Sequence, residues 1–394
     1  KVRGDFWKHK SEKPLYSIDA SNIDKYADKL TPGQIQLIKQ KKGYRMDVYP
    51  SHRECQVPDV VAQNSKANLT AAKLDSTGEQ LQTAVLPGVA FPQPKNGAEA
   101  ILNYIYRYHG EGFEWPKMIT TISPRPGSNE WIDVVSPQHA YLPWGKPGKT
   151  TPQDVDQLST AAFFKMESPP ALAGQAFVQR QYFNKASETF YYFPGQRRVR
   201  RMPAYTHDAP LIGFENQYLV DEANMFNGAL DRFNWKLVGK KEMIVPYNAF
   251  GMYAFNEKLH DVAMQNGLAA DHRRYEVHRV WVVEATVKPT ARHAASKKVF
   301  YLDEDSWLAL VGDDYDAQGK LWKVRESYPI PVWELGGTCD NEPFVQYDLN
   351  SGRYVFDGSS VGQGKDTRWY QQVNDPRFKV DFFTAETLRA VSER

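Results

Sequence analysis

Residues Gly358–Gly362 (GSSVG) form the G-x-S-x-G pattern of a serine nucleophile. That motif places the serine on a sharp turn between a strand and a helix. A strand-like segment, Arg353–Phe356, does precede it, but the residues that follow lack the pattern of a packed helix. The hydrolase order also places a histidine after the serine, and the last histidine of this chain is His293. We therefore interpret Ser360 as part of a flexible loop and expect no enzymatic activity.

Two further groups contain residue types that bind metals. The segment Asp314–Gly319 resembles the start of a calcium loop, but the twelfth position, where a Glu is needed, is Arg325, and strand-like residues flank the segment. It is therefore predicted to be a hairpin turn. His272 and His278 lie six positions apart with Glu276 between them, so a metal site there would need a remote third ligand. We expect no metal and no cofactor, since the sequence also lacks phosphate- and dinucleotide-binding glycine patterns.

A basic cluster, Gln196–Arg201 (QRRVRR), follows the turn signal Pro194-Gly195. Its strand-like period puts arginines on both faces near the turn, which favours a solvated hairpin end. Contact with an anionic headgroup or phosphate is the alternative. The net charge of the 394-residue chain is only +2. Nucleic acid is therefore not expected as a partner, because phosphate binding needs a strong positive field.

The two cysteines, Cys55 and Cys339, lie far apart in the sequence. They are either two buried thiols of a reduced protein or one long-range disulfide formed in an oxidising compartment. Both lie in polar, loop-like segments, whereas buried thiols usually lie in apolar runs, so we favour the disulfide. Closing so long a loop would contribute about 4 to 5 kcal/mol in the entropic model.

These groups are distributed along a chain whose clearest structural feature is Glu276–Tyr328, a series of strand-like runs closed by short turns. Residues Val277–Val287 show alternation with β-branched and aromatic enrichment, which indicates a strand with one buried face. Consecutive strands on short turns pair antiparallel, because a parallel pair needs a long crossover. Strand-like segments extend from about residue 118 to 357. The sequence therefore predicts an antiparallel meander in a mainly β protein.

Several segments have helical spacing or helix start signals. They are Asn22–Leu30, Pro32–Lys42, Val60–Leu74, Asn96–His109, Thr151–Met166, Asn256–Gln265 and Thr384–Val391. The strongest of these is Asn96–His109, in which Ile101, Tyr104, Ile105 and Tyr108 share one face. No apolar run is long enough to span a bilayer, and the first residues lack the apolar core of a signal peptide.

Aromatic residues make up 13% of the chain, and several strands are apolar on both faces. Such strands must be covered on both sides, either by an ordinary filled core or around a cavity for an apolar chain, and both alternatives stay open. For a cavity, the alternation places five residues on the sheet wall and two on a covering helix. The wall residues are Trp281, Val283, Trp307, Phe190 and Tyr192, and the helix residues are Tyr104 and Tyr108. A shift of one position would exchange the two faces of a strand.

Several long strings resemble, in order, those of a known protein family. They are KKVFYLDEDSW and DDYDAQGKLWKV in the meander, PLYSIDASNIDKYADKLTPGQ and RMDVYPSHREC near the N-terminus, and FPGQRRVRRMP and YDLNSGRYVFDG elsewhere. They are similar to strings of the domain of unknown function family 1329. The resemblance implies a fold like that of the lipoprotein carriers LolA and LolB, a strongly curved antiparallel half-barrel whose open side is covered by helices. It also implies secretion in a Gram-negative bacterium with removal of a signal peptide, and it supplies no catalytic residues.

Together these observations predict a single, mainly β domain of the α+β class over residues 1–394. Residues 1–117 would form a mostly helical and extended part packed on the sheet, 118–357 the half-barrel with inserted helices, and 358–394 a tail with a short helix. We expect a non-enzymatic carrier for a lipid or other hydrophobic ligand, located in the periplasm and peripheral to the outer membrane at most. The alternative is an accessory module of an envelope transporter complex with no ligand of its own.

Overall fold

The computed structural model describes residues 1–394, and most of its strands belong to one sheet of 16 strands. In chain order the strands before residue 270 are Tyr16–Ile18 (β1), Met46–Val48 (β2), Lys73–Leu74 (β3), Leu81–Thr83 (β4), Gly112–Ile122 (β5), Ile132–Tyr141 (β6), Leu158–Lys165 (β7), Ala176–Tyr182 (β8), Glu188–Phe193 (β9), Arg198–Arg201 (β10), Phe233–Pro246 (β11), Ala263–Met264 (β12) and Gly267–Leu268 (β13). The later strands are Tyr275–Val287 (β14), Lys297–Asp303 (β15), Ala309–Tyr315 (β16), Leu321–Ser327 (β17), Ile330–Val332 (β18), Thr338–Asp340 (β19), Phe344–Asp348 (β20), Tyr354–Ser359 (β21) and Arg368–Tyr370 (β22).

Neighbouring strands of the large sheet follow the order β1-β2-β14-β15-β16-β17-β20-β21-β5-β6-β7-β8-β9-β10, while β11 pairs with β14 and β22 with β5. The sheet is mixed, because β2 and β14 are parallel whereas consecutive strands of the meander are antiparallel. The predicted meander from β14 to β17 is therefore confirmed. The tail also contributes to the sheet through β22.

Few helices accompany this sheet, and most of them were predicted. They are Pro32–Gln40 (α1), Asp59–Ala71 (α2), Gly97–Ile105 (α3), Leu259–Val262 (α4) and Ala385–Ser392 (α5). The start of α1 is as expected, since the Thr31 hydroxyl accepts from the Gln34 N–H. The predicted helix at Asn22–Leu30 is instead a pair of short 3-10 turns. None of the helices is both long enough and apolar enough to cross a bilayer.

The predicted helix at Thr151–Met166 is wrong. Its start signal produces only a 3-10 turn, Gln153–Val155, which ends where Asp156 and Gln157 adopt left-handed backbone angles (φ 52° and 66°). The chain then continues as β7, which pairs with β6 on one side and β8 on the other. Hydrogen bonds to two neighbouring strands outweigh the local helical preference, because the LSTAAFFK segment can satisfy either pattern.

Charged side chains are buried at the centre of the meander. Asp314 Oδ2 accepts from Lys298 Nζ at 2.9 Å, and Asp314 Oδ1 accepts from Arg325 at 2.7 Å. Asp314 therefore lies in a strand and pairs with the residue that fills the twelfth position of the rejected calcium loop. The turn begins at Asp316, which accepts from the backbone N–H groups of Gln318 and Lys320. The hairpin interpretation is thus confirmed.

The same face of the sheet binds a loop segment that returns across it. Glu222, in the 3-10 turn Val220–Glu222, accepts from Lys323 Nζ at 2.7 Å and from Gln346 Nε2 at 3.0 Å. The Tyr218 hydroxyl donates to Asp357 at 2.6 Å. We call residues 205–231 the crossing segment. Buried charges and hydroxyls fix its position, since each would be costly to leave unpaired.

Helix α1 lies on the opposite face, where Asp313 meets its first turn. The Gly33 N–H donates to Asp313 Oδ2 at 3.0 Å, and a Cβ on Gly33 would stand only 2.1 Å from the other oxygen of Asp313. A glycine is therefore required for this close approach. Helices consequently cover both faces of the sheet, whereas the expectation placed them on one open side.

Cys55 and Cys339 form the predicted disulfide, which closes a loop with a sequence separation of 284. It joins the extended segment after β2 to strand β19. This connection fixes β19 beside the N-terminal region of the chain.

The disulfide predicts that thiol labelling under denaturing conditions detects two cysteines only after reduction. A Cys55→Ser/Cys339→Ser variant should lose about 4 kcal/mol of unfolding free energy, because the unfolded chain regains loop freedom. Mass spectrometry after maleimide labelling and denaturant titration measure the two effects. Two labelled thiols before reduction would contradict the pairing.

Asp313 predicts a pH dependence of stability. Burial raises the pKa of its carboxyl from 3.8 to about 7. A carboxyl with a raised folded pKa contributes stability below its unfolded pKa and loses it as pH rises through the folded value. The unfolding free energy of the wild type should therefore decline between about pH 4 and pH 8. Asp313→Asn should make this decline smaller by about 2–4 kcal/mol. Urea titrations test this, with exposed Asp28→Asn as the control; equal slopes in wild type and Asp313→Asn would refute it.

Candidate functional site

A cavity of about 390 Å³ lies between the end of α3, strands β7 and β8, and the crossing segment. Its sheet wall includes Thr160, Gln179 and Gln181. We call this side of the sheet the cavity face. Strand register puts Asp314 and Arg325 on the same face, because cross-strand partners lie on one side of a sheet.

One wall of the cavity is apolar and buried. Leu102 and Ile105 come from α3, Phe183 follows β8, and Phe226 and Leu230 come from the crossing segment. All except Ile105 are at most 3% exposed. The Tyr106 ring, just after α3, packs against Phe183 with centroids 4.7 Å apart. This wall offers a surface suited to an aliphatic or aromatic group.

The opposite wall carries amides. Gln179 Nε2 donates to the Thr189 hydroxyl at 3.0 Å, and Gln181 Nε2 donates to Asn227 Oδ1 at 2.8 Å. These bonds orient both side chains and leave their carbonyl oxygens as acceptors. The cavity therefore has an apolar wall and, opposite it, uncharged polar groups that are held in place by hydrogen bonds.

A buried charged cluster adjoins the cavity. Arg107 and His109 line it, and behind them stand Asp340 and Glu342. Arg107 contacts Asp340 at 3.0 Å and Glu342 at 3.3 Å, and His109 Nδ1 contacts Glu342 at 3.1 Å. The Trp369 indole N–H donates to Asp340 at 2.8 Å.

The pKa values of the two carboxyls in this cluster are shifted in opposite directions. Burial, together with the neighbouring Asp340 charge, raises the pKa of Glu342 to about 7. Burial also acts to raise the pKa of Asp340, but the charges of Arg107 and His109 outweigh it and hold that pKa well below its usual value. One oxygen of Glu342 is buried without a hydrogen-bond partner, which fits a carboxyl that retains a proton.

Two groups of side chains have the spacing of metal ligands: His109, Asp340 and Glu342, and separately His9, His52 and Glu54. In the first group the Arg107 guanidinium contacts both carboxyl groups and would repel a cation. In the second, the donor atoms are bound by protein partners, including Glu54 by the Trp7 indole. Both groups therefore have an explanation as hydrogen-bonded ion clusters.

The residues that the sequence offered as candidate metal ligands or as a nucleophile do not come together as one site in the structure. Glu276 contacts His278 at 2.9 Å and Arg274 at 2.8 Å, whereas His272 contacts Glu257. The Ser360 hydroxyl is buried against that of Thr367 at 2.8 Å. These side chains act in local hydrogen bonding.

The predicted wall residues of the meander are adjacent to one another but do not line this cavity. Trp281 and Trp307 stack with centroids 6.0 Å apart, and Lys240 stands 4.7 Å above the Trp281 ring. Val283 is fully buried beside its cross-strand partner Phe300, on the cavity face. They are part of the filled portion of the core.

The two residues predicted for the covering helix lie beside the cavity. The Tyr104 hydroxyl donates to the Asn224 carbonyl at 2.7 Å and so ties α3 to the crossing segment. Tyr108 is buried in the main core between the lining residues Arg107 and His109. Contact of a bound ligand with the ring of Tyr104 or Tyr108 stays a prediction.

Phe190 and Tyr192 lie on the face opposite the cavity. They pair with Val178 and Ala176 and share a small core with Phe383 and Leu388 at α5. Their neighbours on β9, including Tyr191, lie on the cavity face instead. The predicted alternation of inward and outward side chains was thus shifted by one residue in β9. Apolar residues occupy both faces of this strand, so hydrophobicity does not distinguish the faces.

A second cleft, of about 710 Å³, lies on the opposite face near Glu114, His139 and Arg377. Charged side chains line it, and Trp115 is its one buried apolar lining residue, whereas the first cavity has a buried apolar wall. Burial lowers the pKa of His139 to about 4, so this imidazole is neutral at pH 7. The first cavity is the better candidate for an apolar ligand.

Sequence reasoning missed the charged cluster. Arg107/His109 and Asp340/Glu342 are two i, i+2 pairs, which share a side in extended backbone, but the sequence predicted a helix through His109, whereas α3 ends at Ile105. The two pairs are more than 230 positions apart, and nothing local indicates that they meet.

The fold is that of a mainly β protein with one large mixed sheet, and solved structures share it. A domain from Vibrio parahaemolyticus named as an outer membrane lipoprotein-sorting protein is similar over 74% of this chain and 98% of its own, with a TM-score of 0.50 and 14% identity. A DUF1329 family protein from Desulfovibrio piger matches over 70% and 92%, with a TM-score of 0.44 and 14% identity.

The chain belongs to the protein family of unknown function DUF1329, whose model matches residues 17–389. An uncharacterized protein of Pseudomonas aeruginosa is 36% identical over 358 residues, which are 88% of this chain and 75% of that protein. The family resemblance of the sequence strings is therefore confirmed.

The charged cluster predicts that Arg107→Ala is strongly destabilising. Asp340 would remain buried and charged with only His109 beside it, which should cost about 3–5 kcal/mol of unfolding free energy. Chemical denaturation measures this loss. The matched control is Arg125→Ala, whose partner Glu215 is exposed and which should lose far less. Equal losses in the two variants would show that the buried pairs are not required.

Proposed function

We propose that the protein is a non-enzymatic carrier that binds a lipid or another hydrophobic ligand in the cavity beside α3. The observation that carries the proposal is the buried apolar wall formed by Leu102, Phe183, Phe226 and Leu230. The volume of the cavity, about 390 Å³, lies within the range of about 300–1,000 Å³ that is common for small-molecule sites. The amides of Gln179 and Gln181 would then hold the polar end of an amphipathic ligand.

Affinity in such a site would come from apolar area. Each buried methylene contributes about 0.8 kcal/mol, so a chain of about ten methylenes supplies about 8 kcal/mol before ordering costs. The charged groups that line the cavity are already paired, since Arg107 contacts Asp340 at 3.0 Å and His207 contacts Asp231 at 2.8 Å. Binding without chemistry is what this lining supports.

The location and the shape of the site form part of the proposal. We infer a periplasmic protein, peripheral to the outer membrane at most, from the similarity to the Vibrio lipoprotein-sorting domain and from the disulfide, which needs an oxidising compartment. We also infer that the sheet curls around α3 and the crossing segment, so that the meander residues Trp281 and Val283 support the cavity wall from the side.

A cavity-filling variant tests the proposal. Ile105→Trp should reduce uptake of a fluorescent acyl probe by at least about 10-fold, since the indole occupies the space that the chain needs. Leu69→Trp on α2 is the matched control, because Leu69 is 52% exposed and should tolerate the same change without effect. Fluorescence titration measures both, and thermal unfolding verifies that each variant is folded.

Native mass spectrometry of protein purified from its own host provides a second measurement. A bound lipid that is lost in Ile105→Trp supports the carrier. Protein that is consistently empty and takes up no acyl probe would contradict it and favour the transporter-accessory alternative.

A further inference from the structure

Strand β10 carries the most concentrated positive charge on the surface. Arg197, Arg198, Arg200 and Arg201 are all exposed, and we call these four residues the basic edge. Strand β10 is the last strand of the large sheet and pairs only with β9. Its other side is therefore open to solvent.

The basic edge has no acidic partner. None of its four guanidinium groups lies within 4.0 Å of a carboxylate, and only Arg200 makes a side-chain hydrogen bond, to the Gln196 amide at 2.8 Å. Elsewhere, exposed arginines such as Arg53 and Arg279 form bidentate pairs with carboxylates. Three unneutralised charges on one short strand and a fourth on the turn residue before it create a local positive field, although the whole chain carries only +2.

One end of the basic edge lies near the cavity. The Met202 N–H, directly after β10, donates to the Thr189 carbonyl, and the chain then reaches the lining residues Tyr205 and His207. The turn between β8 and β9 contributes Lys185, which lines the cavity and is exposed. The Arg201 end of the basic edge is therefore closer to the cavity than the Arg197 end.

We propose that the basic edge docks on the surface of an anionic phospholipid bilayer. Guanidinium groups bind phosphate oxygens in a fork geometry, and clustered basic residues are attracted to anionic leaflets. The β9–β10 register places Arg198 and Arg200 on one face of the strand and Arg201 on the other, so the charges surround the edge. The proposal goes beyond ligand binding, since docking does not require the cavity to be filled.

A bilayer fits this edge better than an added peptide strand. Strand β10 has only four residues, three of them arginine, and offers almost no apolar side chains for a partner strand to cover. Charged residues on an edge strand oppose pairing with another strand. The charge therefore favours a diffuse anionic surface.

Vesicle cosedimentation tests the docking. The protein should bind phosphatidylcholine vesicles containing about 30% phosphatidylglycerol, bind pure phosphatidylcholine weakly, and lose binding at about 0.5 M salt because the interaction is screened. The variant R197Q/R198Q/R200Q/R201Q should bind the anionic vesicles at least about 50-fold more weakly. Substituting lysine at the same four positions should largely preserve binding.

The matched control is K13Q/K66Q/K149Q/K320Q, which removes the same charge from four exposed lysines that have no acidic partner within 4.0 Å. This variant should bind like the wild type. Equal loss in both quadruple variants, or no preference for anionic vesicles, would overturn the proposal. Tighter binding to polyglutamate than to the vesicles at equal charge would overturn it in favour of an acidic protein partner. Uptake of the acyl probe should be unchanged in both quadruple variants, which separates docking from the cavity.

Discussion

The position of the crossing segment depends on charges buried between it and the meander. Glu222 of the crossing segment binds Lys323 at 2.7 Å, and its neighbour Asp221 binds His293 at 2.6 Å. A buried charge without its partner is far more costly than a surface one, so these contacts allow essentially one placement of the segment. That placement brings Phe226 and Leu230 opposite α3, and the apolar wall follows from it. A fully apolar interface would have been able to slide, and its register would be less well defined.

A second set of charges fixes the other end of the cavity. Arg107 follows α3 directly and binds Asp340 on β19, and β19 is attached to the N-terminal region through the disulfide at Cys339. Charged contacts and the disulfide thereby hold α3 and the crossing segment, the two elements that form the apolar wall, in place. The cavity can stay open because its frame does not rely on filling it, whereas a purely hydrophobic core gains stability by collapsing. This separation of frame from wall is what a carrier with an exchangeable ligand requires.

The parts of the fold that were predictable have local causes. Alternation and short turns indicated the meander β14–β17, and capping residues indicated α1. Where the cause is distant, the sequence was not sufficient. Strand β7 exists because two neighbours pair with it, although its start resembles that of a helix. Phe190 was assigned to the wrong face because α5, near the end of the chain, decides which side is covered. Of the site, only the role of α3 was foreseen, since the charged cluster joins residues more than 230 positions apart.

The most direct test of the account is a crystal structure of the protein grown with a brominated fatty acid. The account predicts an anomalous bromine peak between Ile105, Phe183 and Phe226, with the carboxyl end of the ligand near the Gln179 and Gln181 amides. The Ile105→Trp variant should show no such peak. A peak only in the cleft near Arg377, or none at full ligand saturation, would contradict the claim that this cavity is the binding site.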